Sequence, residues 1–410
     1  MSVSPRPKIP NVSQHGFSSF RTDLFGRIKV SEPFTLFDSS HRYFQNGEFS
    51  DITANGGNVT YNVNQSTELL NVTTTSGSKV YRESKKVFPY QPGKSLQVMQ
   101  TFCFAPAQAN LRQRVGYFSS ENGIYLEQEG TSVYLVKRSY ISGSVVNTRV
   151  AQADWNIDPL NGSGPSDIVL DLTKVQILWS EYEWLGVGSV RIGFAIDGFF
   201  IPVHAFHHAN HIDTVYMTTA SLPVRYEIEN TGATAANSTM KQICVSVISN
   251  GGFARQTERW TTSTPSAVTA GTTFVPLTSL RMVSGRTDSV IIPAGIGILP
   301  TGSANIEWAL FRNATLTGAT TWTTHPVSTN VEYNTNATAL SGGVTVRQGF
   351  FAGSNQSTGS VDIYEGLNTF DLQLGRTISD TPVSDVLTLA VRTLSGSTGV
   401  FGSLSWFDLL

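Results

Sequence analysis

From about residue 31 onward, apolar and polar residues alternate in short runs broken by glycine, asparagine and serine. Residues 58–84, NVTYNVNQSTELLNVTTTSGSKVYRES, keep this two-residue period around Ser76-Gly77, a hairpin-type turn. Residues 114–140, RVGYFSSENGIYLEQEGTSVYLVKRSY, repeat it with turns at Asn122-Gly123 and Glu129-Gly130. In residues 175–206, Val190, Ile192, Phe194 and Ile196 form one face, opposed by Arg191, Gly193, Ala195 and Asp197. Asp197-Gly198 then supplies a type I′ turn and the chain returns through Phe199, Ile201 and Val203. No segment sustains a 3.6-residue period. The pattern predicts an all-β protein of two β-sandwich, jelly-roll-like domains preceded by an extended N-terminal arm. The first sandwich is expected over 31–250 and a linker over 251–262. The second is expected over 263–410, where DSVIIPAGIGILP, ANIEWALFR, DVLTLAVRTL and GSLSWFDLL read as strands.

Residues 1–30 break the pattern. Pro5, Pro7 and Pro10 block helix and remove ladder donors, while Arg6, Lys8, Arg21, Arg27 and Lys29 face one acid, Asp23. Alone, such an arm buries too little surface to fold. It is predicted to dock onto a larger assembly through Phe17, Phe20 and Phe25 together with Arg6, Lys8, Arg21 and Arg27.

Composition sharpens this picture. Charged residues are 14% of the chain, against about 25% in ordinary domains. Polarity is carried instead by Ser, Thr, Asn, Gln and 36 glycines, which suits short strands and tight turns. A net charge of −2 provides no long-range field for nucleic acid. The two cysteines, Cys103 and Cys244, lie in apolar runs and read as reduced core residues. No apolar leader core begins the chain and no run approaches the roughly 18 apolar residues of a membrane span. The expectation is a chain made and kept in a cytoplasm, or one that leaves by a route needing no signal peptide, with no membrane insertion.

Several longer phrases are similar to a known family. YQPGKSL, VYLVKRSYISGSVVNTRVAQADWNIDPLNGSGPS and QILWSEYEWLGVGSVRIGFAIDGFFIPVHAFHHAN resemble virion structural proteins of tailed phages of marine bacteria and cyanobacteria. LRMVSGRTDSVIIPAG and TALSGG extend the resemblance into the second half. It implies a place in a virus particle, capsid- or tail-attached, assembled in the host cytoplasm. The implied partners are other virion structural proteins and further copies of the chain, with a trimer favoured. The first domain also resembles a concanavalin-type jelly roll, a form shared by lectins, glycosidases and inert modules, so it assigns no function.

Three constellations could carry chemistry. His204, His207, His208 and His211 fall in VHAFHHANH. On a strand His204 and His208 share one face and His207 takes the other, so one strand cannot converge all four on a metal. They read as a strand end meeting backbone or other subunits; the rival reading is a metal shared by three chains on a symmetry axis. Glu181 and Glu183 in WSEYEW fall on one strand face at a spacing that paired glycosidase carboxylates tolerate. Trp179, Tyr182 and Trp184 around them could form a sugar platform, although core packing suits them better. GKS at 93–95 mimics the end of a phosphate loop, but Phe88 stands where that loop needs glycine and a strand follows. The reading is a non-enzymatic structural protein without a cofactor. Its rivals are a host-glycan-binding module and a polysaccharide depolymerase using Glu181 and Glu183.

Overall fold

The computed structural model describes residues 32–254, 257–318, 321–353, 359–362, 372–379 and 382–409. The arm, with Arg6, Lys8, Phe17, Phe20, Arg21, Phe25 and Arg27, lies outside the described residues. The chain divides into two compact units, 1–254 and 255–410. Among the described residues both are built of antiparallel β-strands without an α-helix, as the two-residue period predicts.

The first unit contains β1 (Phe34–Ser39), β2 (Phe49–Ala54), β3 (Asn58–Asn62), β4 (Thr67–Val72), β5 (Lys79–Ser84), β6 (Leu96–Cys103) and β7 (Leu111–Phe118). It continues with β8 (Gly123–Glu129), β9 (Ser132–Ser139), β10 (Val146–Ala151), β11 (Gln176–Tyr182), β12 (Val190–Ile196), β13 (Phe199–Phe206), β14 (Val224–Asn230) and β15 (Ser238–Ser249). One sheet runs β13-β12-β11-β6-β15-β4-β3, with β1 also on β15; the other runs β10-β9-β8-β7-β14-β5-β2. Their facing surfaces interleave large apolar residues. Tyr117 of β7 packs on Tyr182 of β11 with ring centroids 5.1 Å apart. Its hydroxyl meets the carbonyls of Phe88 and Ala220 at 2.9 and 2.8 Å and accepts the Leu222 N–H at 3.0 Å.

Local chemistry sets the turns. Asp197 and Gly198 both take positive φ, 51° and 81°, the signature of the type I′ hairpin joining β12 to β13. Gly116 is required by close approach: a Cβ there would sit 2.5 Å from the Ile124 carbonyl oxygen on the neighbouring strand.

The second unit pairs a five-stranded sheet with a six-stranded one. Thr398–Leu409 lies inside the five-stranded sheet, next to Val290–Pro300, and contributes Trp406 to a core with Trp308, Leu280 and Leu389. The division between the units, after residue 254, falls inside the expected linker, and residues on either side of it are paired. Arg259–Ser263 pairs with Thr398–Leu409 as a strand of the second unit. Residues 252–254 instead belong with the first unit, where Lys94 Nζ donates to Gly252 O at 3.1 Å and Ala254 N to Gln91 Oε1 at 2.9 Å. Alternation fades there because few side chains are apolar, yet the backbone groups still find ladder partners.

The cysteines also differ from expectation. Cys103 is half-buried and Cys244 exposed, both as free thiols. Cys103 takes the outward phase of β6, and a register shift between Gln242 and Val245 turns Cys244 out. Gly116→Ala is expected to destabilise the first unit by roughly 1–3 kcal/mol through overpacking. Calorimetry should show this as a lowered transition for that unit, with the second unit's transition unmoved.

Candidate functional site

The four histidines of 203–211 separate as soon as β13 ends at Phe206. His204 points inward and its Nδ1 accepts the Asn156 N–H at 3.2 Å, so the neutral ring carries its proton on Nε2. His208 lies beyond the strand, stacked on Tyr216 with centroids 3.8 Å apart, and its Nδ1 donates to Gly188 O at 2.6 Å. Its tautomer is therefore the opposite one. His207 and His211 are exposed, the former beside Ser189 Oγ at 3.0 Å. Among the described residues no group of three His, Cys, Asp or Glu side chains could hold a metal ion. Burial brings His204 and His208 each down to about 4.

His208 and Tyr216 instead clamp the turn after β11. Tyr216 N donates to Gly186 O at 3.0 Å, and Gly188 N to Trp184 O at 2.6 Å. A Cβ on Gly188 would fall 1.6 Å from the Glu183 carbonyl oxygen. The turn begins directly at the carboxylate pair expected from WSEYEW: β11 stops at Tyr182, and Glu183 N donates to Ser189 O at 3.1 Å, one step beyond the last ladder pair, Tyr182 with Val190. Glu181 is buried and accepts Arg191 Nη2 at 2.5 Å. The rings of the expected platform separate too. Trp179 lies on the outward face under Arg191 and against Phe200, Tyr182 points into the sandwich, and Trp184 packs edge-on to Tyr90 in the turn.

A larger charged array lies elsewhere. Because Tyr117 and Val115 face the opposite sheet, Arg112, Arg114 and Phe118 take the outer side of β7. Register sets Arg114 between Glu127 of β8 and Glu227 of β14. Its Nε reaches Glu127 Oε2 at 2.7 Å, and its Nη1 reaches Glu227 Oε2 at 2.6 Å and Glu229 Oε1 at 3.2 Å. Arg225 joins Glu227 at 2.6 Å to Glu83 at 2.5 Å. Arg112 meets Glu229 at 2.5 Å, and Arg149 meets Glu127 at 2.8 Å and Glu129 at 3.1 Å. The guanidiniums also lie over rings, Arg225 over Tyr81 at 5.2 Å and Arg114 over Tyr125 at 5.7 Å.

Side chains of Glu127 and Glu227 are 0% and 2% exposed. Burial alone would raise the Glu227 carboxyl, but Arg225 and Arg114 outweigh it and hold it at about 2. Tyr81, half-buried and hydrogen-bonded to Glu229, is pushed above the usual phenol range, chiefly by its desolvation. Sequence reasoning missed this array. Its signal was the charge at alternate positions of LRQRV, YLEQE and VRYEIE, with opposite signs that meet only once the strands are in register.

A smaller ionic cluster sits between the sheets. Arg82 donates to Asp51 at 2.7 Å and to Gln242 at 2.6 Å, with Glu68 at 3.9 Å and His41 beyond it. Burial raises the Glu68 carboxyl, partly offset by Arg82, and lowers His41 to about 4.

No family model and no curated protein matches the chain. Solved structures share the fold at low similarity. The Emp47p carbohydrate recognition domain is 11% identical, covering 55% of this chain and 99% of its own, with a TM-score of 0.34. A β-1,3-glucanase from Mycobacterium marinum is 11% identical over 53% of this chain and 97% of its own, at a TM-score of 0.36. Arcelin-5, a lectin-like defense protein from Phaseolus vulgaris, is 9% identical over 53% and 98%, at 0.32.

Two outcomes test this geometry. Arg114→Ala is expected to cost about 3–5 kcal/mol, because two buried carboxylates lose their shared cation. Chemical denaturation measures the loss, which Glu127→Gln in the same background should partly recover. Acid sensitivity follows from the imidazoles. Below pH 6.5 the unfolded chain protonates His41, His204 and His208, which the folded chain leaves neutral down to about 4. Stability is therefore full above pH 6.5 and falls by up to a few kcal/mol on acidification towards 4. Melting temperatures across that window should show the slope, reduced in His208→Phe.

Proposed function

We propose that this chain is a non-enzymatic structural protein of a tailed-phage virion, held in the particle by its N-terminal arm and associating with copies of itself. The observation that carries the non-enzymatic part is the pairing of Glu181 and of the buried outer-face glutamates with guanidiniums. Hydrolysis by a carboxyl pair needs one member protonated near neutral pH. Glu227 is held at about 2, and Glu181 spends its charge on Arg191. Glu68, whose carboxyl is raised, has no exposed side-chain surface to offer a polymer. The virion part rests on the sequence phrases that resemble phage proteins, and on an arm sequence whose basic and aromatic residues suit docking onto a larger assembly.

Glycan binding without catalysis is the second reading. It is favoured by the half-buried Tyr134 ring, which carries the Arg149 guanidinium at 5.6 Å on the outer side of β9. Loss of binding in Tyr134→Ala on a glycan array would support it.

A chain lacking residues 1–30 is expected to fold with both units intact yet fail to enter phage particles. Incorporation at the normal level would overturn the anchoring role. Incubation with host capsular polysaccharide should release no new reducing ends, and their appearance would overturn the non-enzymatic reading.

A further inference from the structure

The loop between β1 and β2 carries two of the most exposed aromatic side chains among the described residues, Tyr43 at 76% and Phe44 at 71%. Arg42 lies over the Tyr43 ring at 5.2 Å, so the three side chains form one projecting knob. The loop beneath is fixed. His41 is buried and its carbonyl accepts the Tyr61 hydroxyl at 2.5 Å. Asn46 Nδ2 donates to Ser39 Oγ at 2.8 Å, while its Oδ1 accepts the Glu48 N–H at 2.8 Å. Two large apolar groups exposed on a rigid frame have already met the ordering cost of binding, which favours use as a contact.

The same unit holds a surface of matching chemistry. Before β11 the chain reverses at a turn closed by Lys174 N on Asp171 O at 3.1 Å. Its two arms expose Val169 at 71%, Val175 at 57% and Ile177 at 38%. Asp171 stands at the turn, its carboxyl kept below the usual range by the hydroxyl and backbone N–H of Thr173. A carboxylate on a turn whose arms expose three aliphatic side chains complements a guanidinium on a loop that exposes two rings, although Lys174 offsets part of that charge. In the sheet order, β6 and β15 separate β11 from β1. Three strand spacings amount to about 14 Å, so a fixed loop cannot reach the turn of its own chain.

We propose that the Arg42–Tyr43–Phe44 knob of one copy seats on the Val169–Val175–Ile177 surface of a second copy, with Arg42 facing Asp171. This deepens the self-association in the proposed function and rests on that reading. Knob and seat are different surfaces, so the contact is heterologous and closes into a ring, a trimer among the options, where the rotation permits. Two aromatic side chains bury about 300–500 Å², less than the ~800 Å² per partner of a standard stable interface. Each contact is therefore weak alone and gains strength from repetition within an assembly.

The test is sedimentation of the full chain over a concentration series, with a double-mutant cycle. All four positions are exposed, and melting curves confirm that the variants fold. Tyr43→Ser with Phe44→Ser, and separately Val169→Ser with Val175→Ser, should each weaken association by about tenfold. The combined variant should be little weaker than either, because both remove the same contact. Association that is absent in the parent chain, unchanged in the variants, or lost additively would overturn the proposal. So would variants that associate normally but lose binding to a host polysaccharide, which would assign the knob to glycan. Since sedimentation uses the purified chain, its outcome is independent of whether the arm secures the protein in a particle.

Discussion

Carboxylates taken out of water must be met by cations, and on the outer face of the β7–β8–β14 region arginine meets them. Arg114 is the junction, touching glutamates from two neighbouring strands. Breaking such an array by removing one partner costs far more than the array stabilises, because the remaining charge stays buried. The constraint therefore acts on register: a one-residue slip of β8 or β14 would place glutamate against the apolar interior. Gly116 fits the same demand, since it lets the neighbouring strand approach where Arg225 and Tyr125 flank it.

That arrangement also limits the chemistry. A guanidinium-bound carboxylate is a hydrogen-bond acceptor with its charge already neutralised, unsuited to giving a proton to a leaving group. The imidazoles are equally committed. His208 holds the turn after β11 through Gly188, and His204 receives a backbone N–H. These two imidazoles thus hold a strand end and a turn.

Much of the fold was legible because the two-residue period and the glycine turns report local geometry. Asp197-Gly198 announced its hairpin from two residues alone. What escaped depends on contacts distant in sequence. Arg114 and Glu227 are 113 residues apart, and nothing local says that their strands are neighbours. The clamped turn at LGVG escaped because its partners, His208 and Tyr216, come later in the chain. Cys244 was misplaced by an irregularity in the middle of β15, which carries no sequence mark.

The account stands on the ionisation of Glu227 beside Arg114 and Arg225. Isotope-edited NMR of side-chain carboxyls through an acid titration measures it directly. The expected result is that Glu227 stays charged until pH approaches about 2, while burial displaces the interior Glu68 upward. A carboxyl of the outer array that takes up its proton near neutrality would contradict the account, since it would supply the general acid that this reading denies.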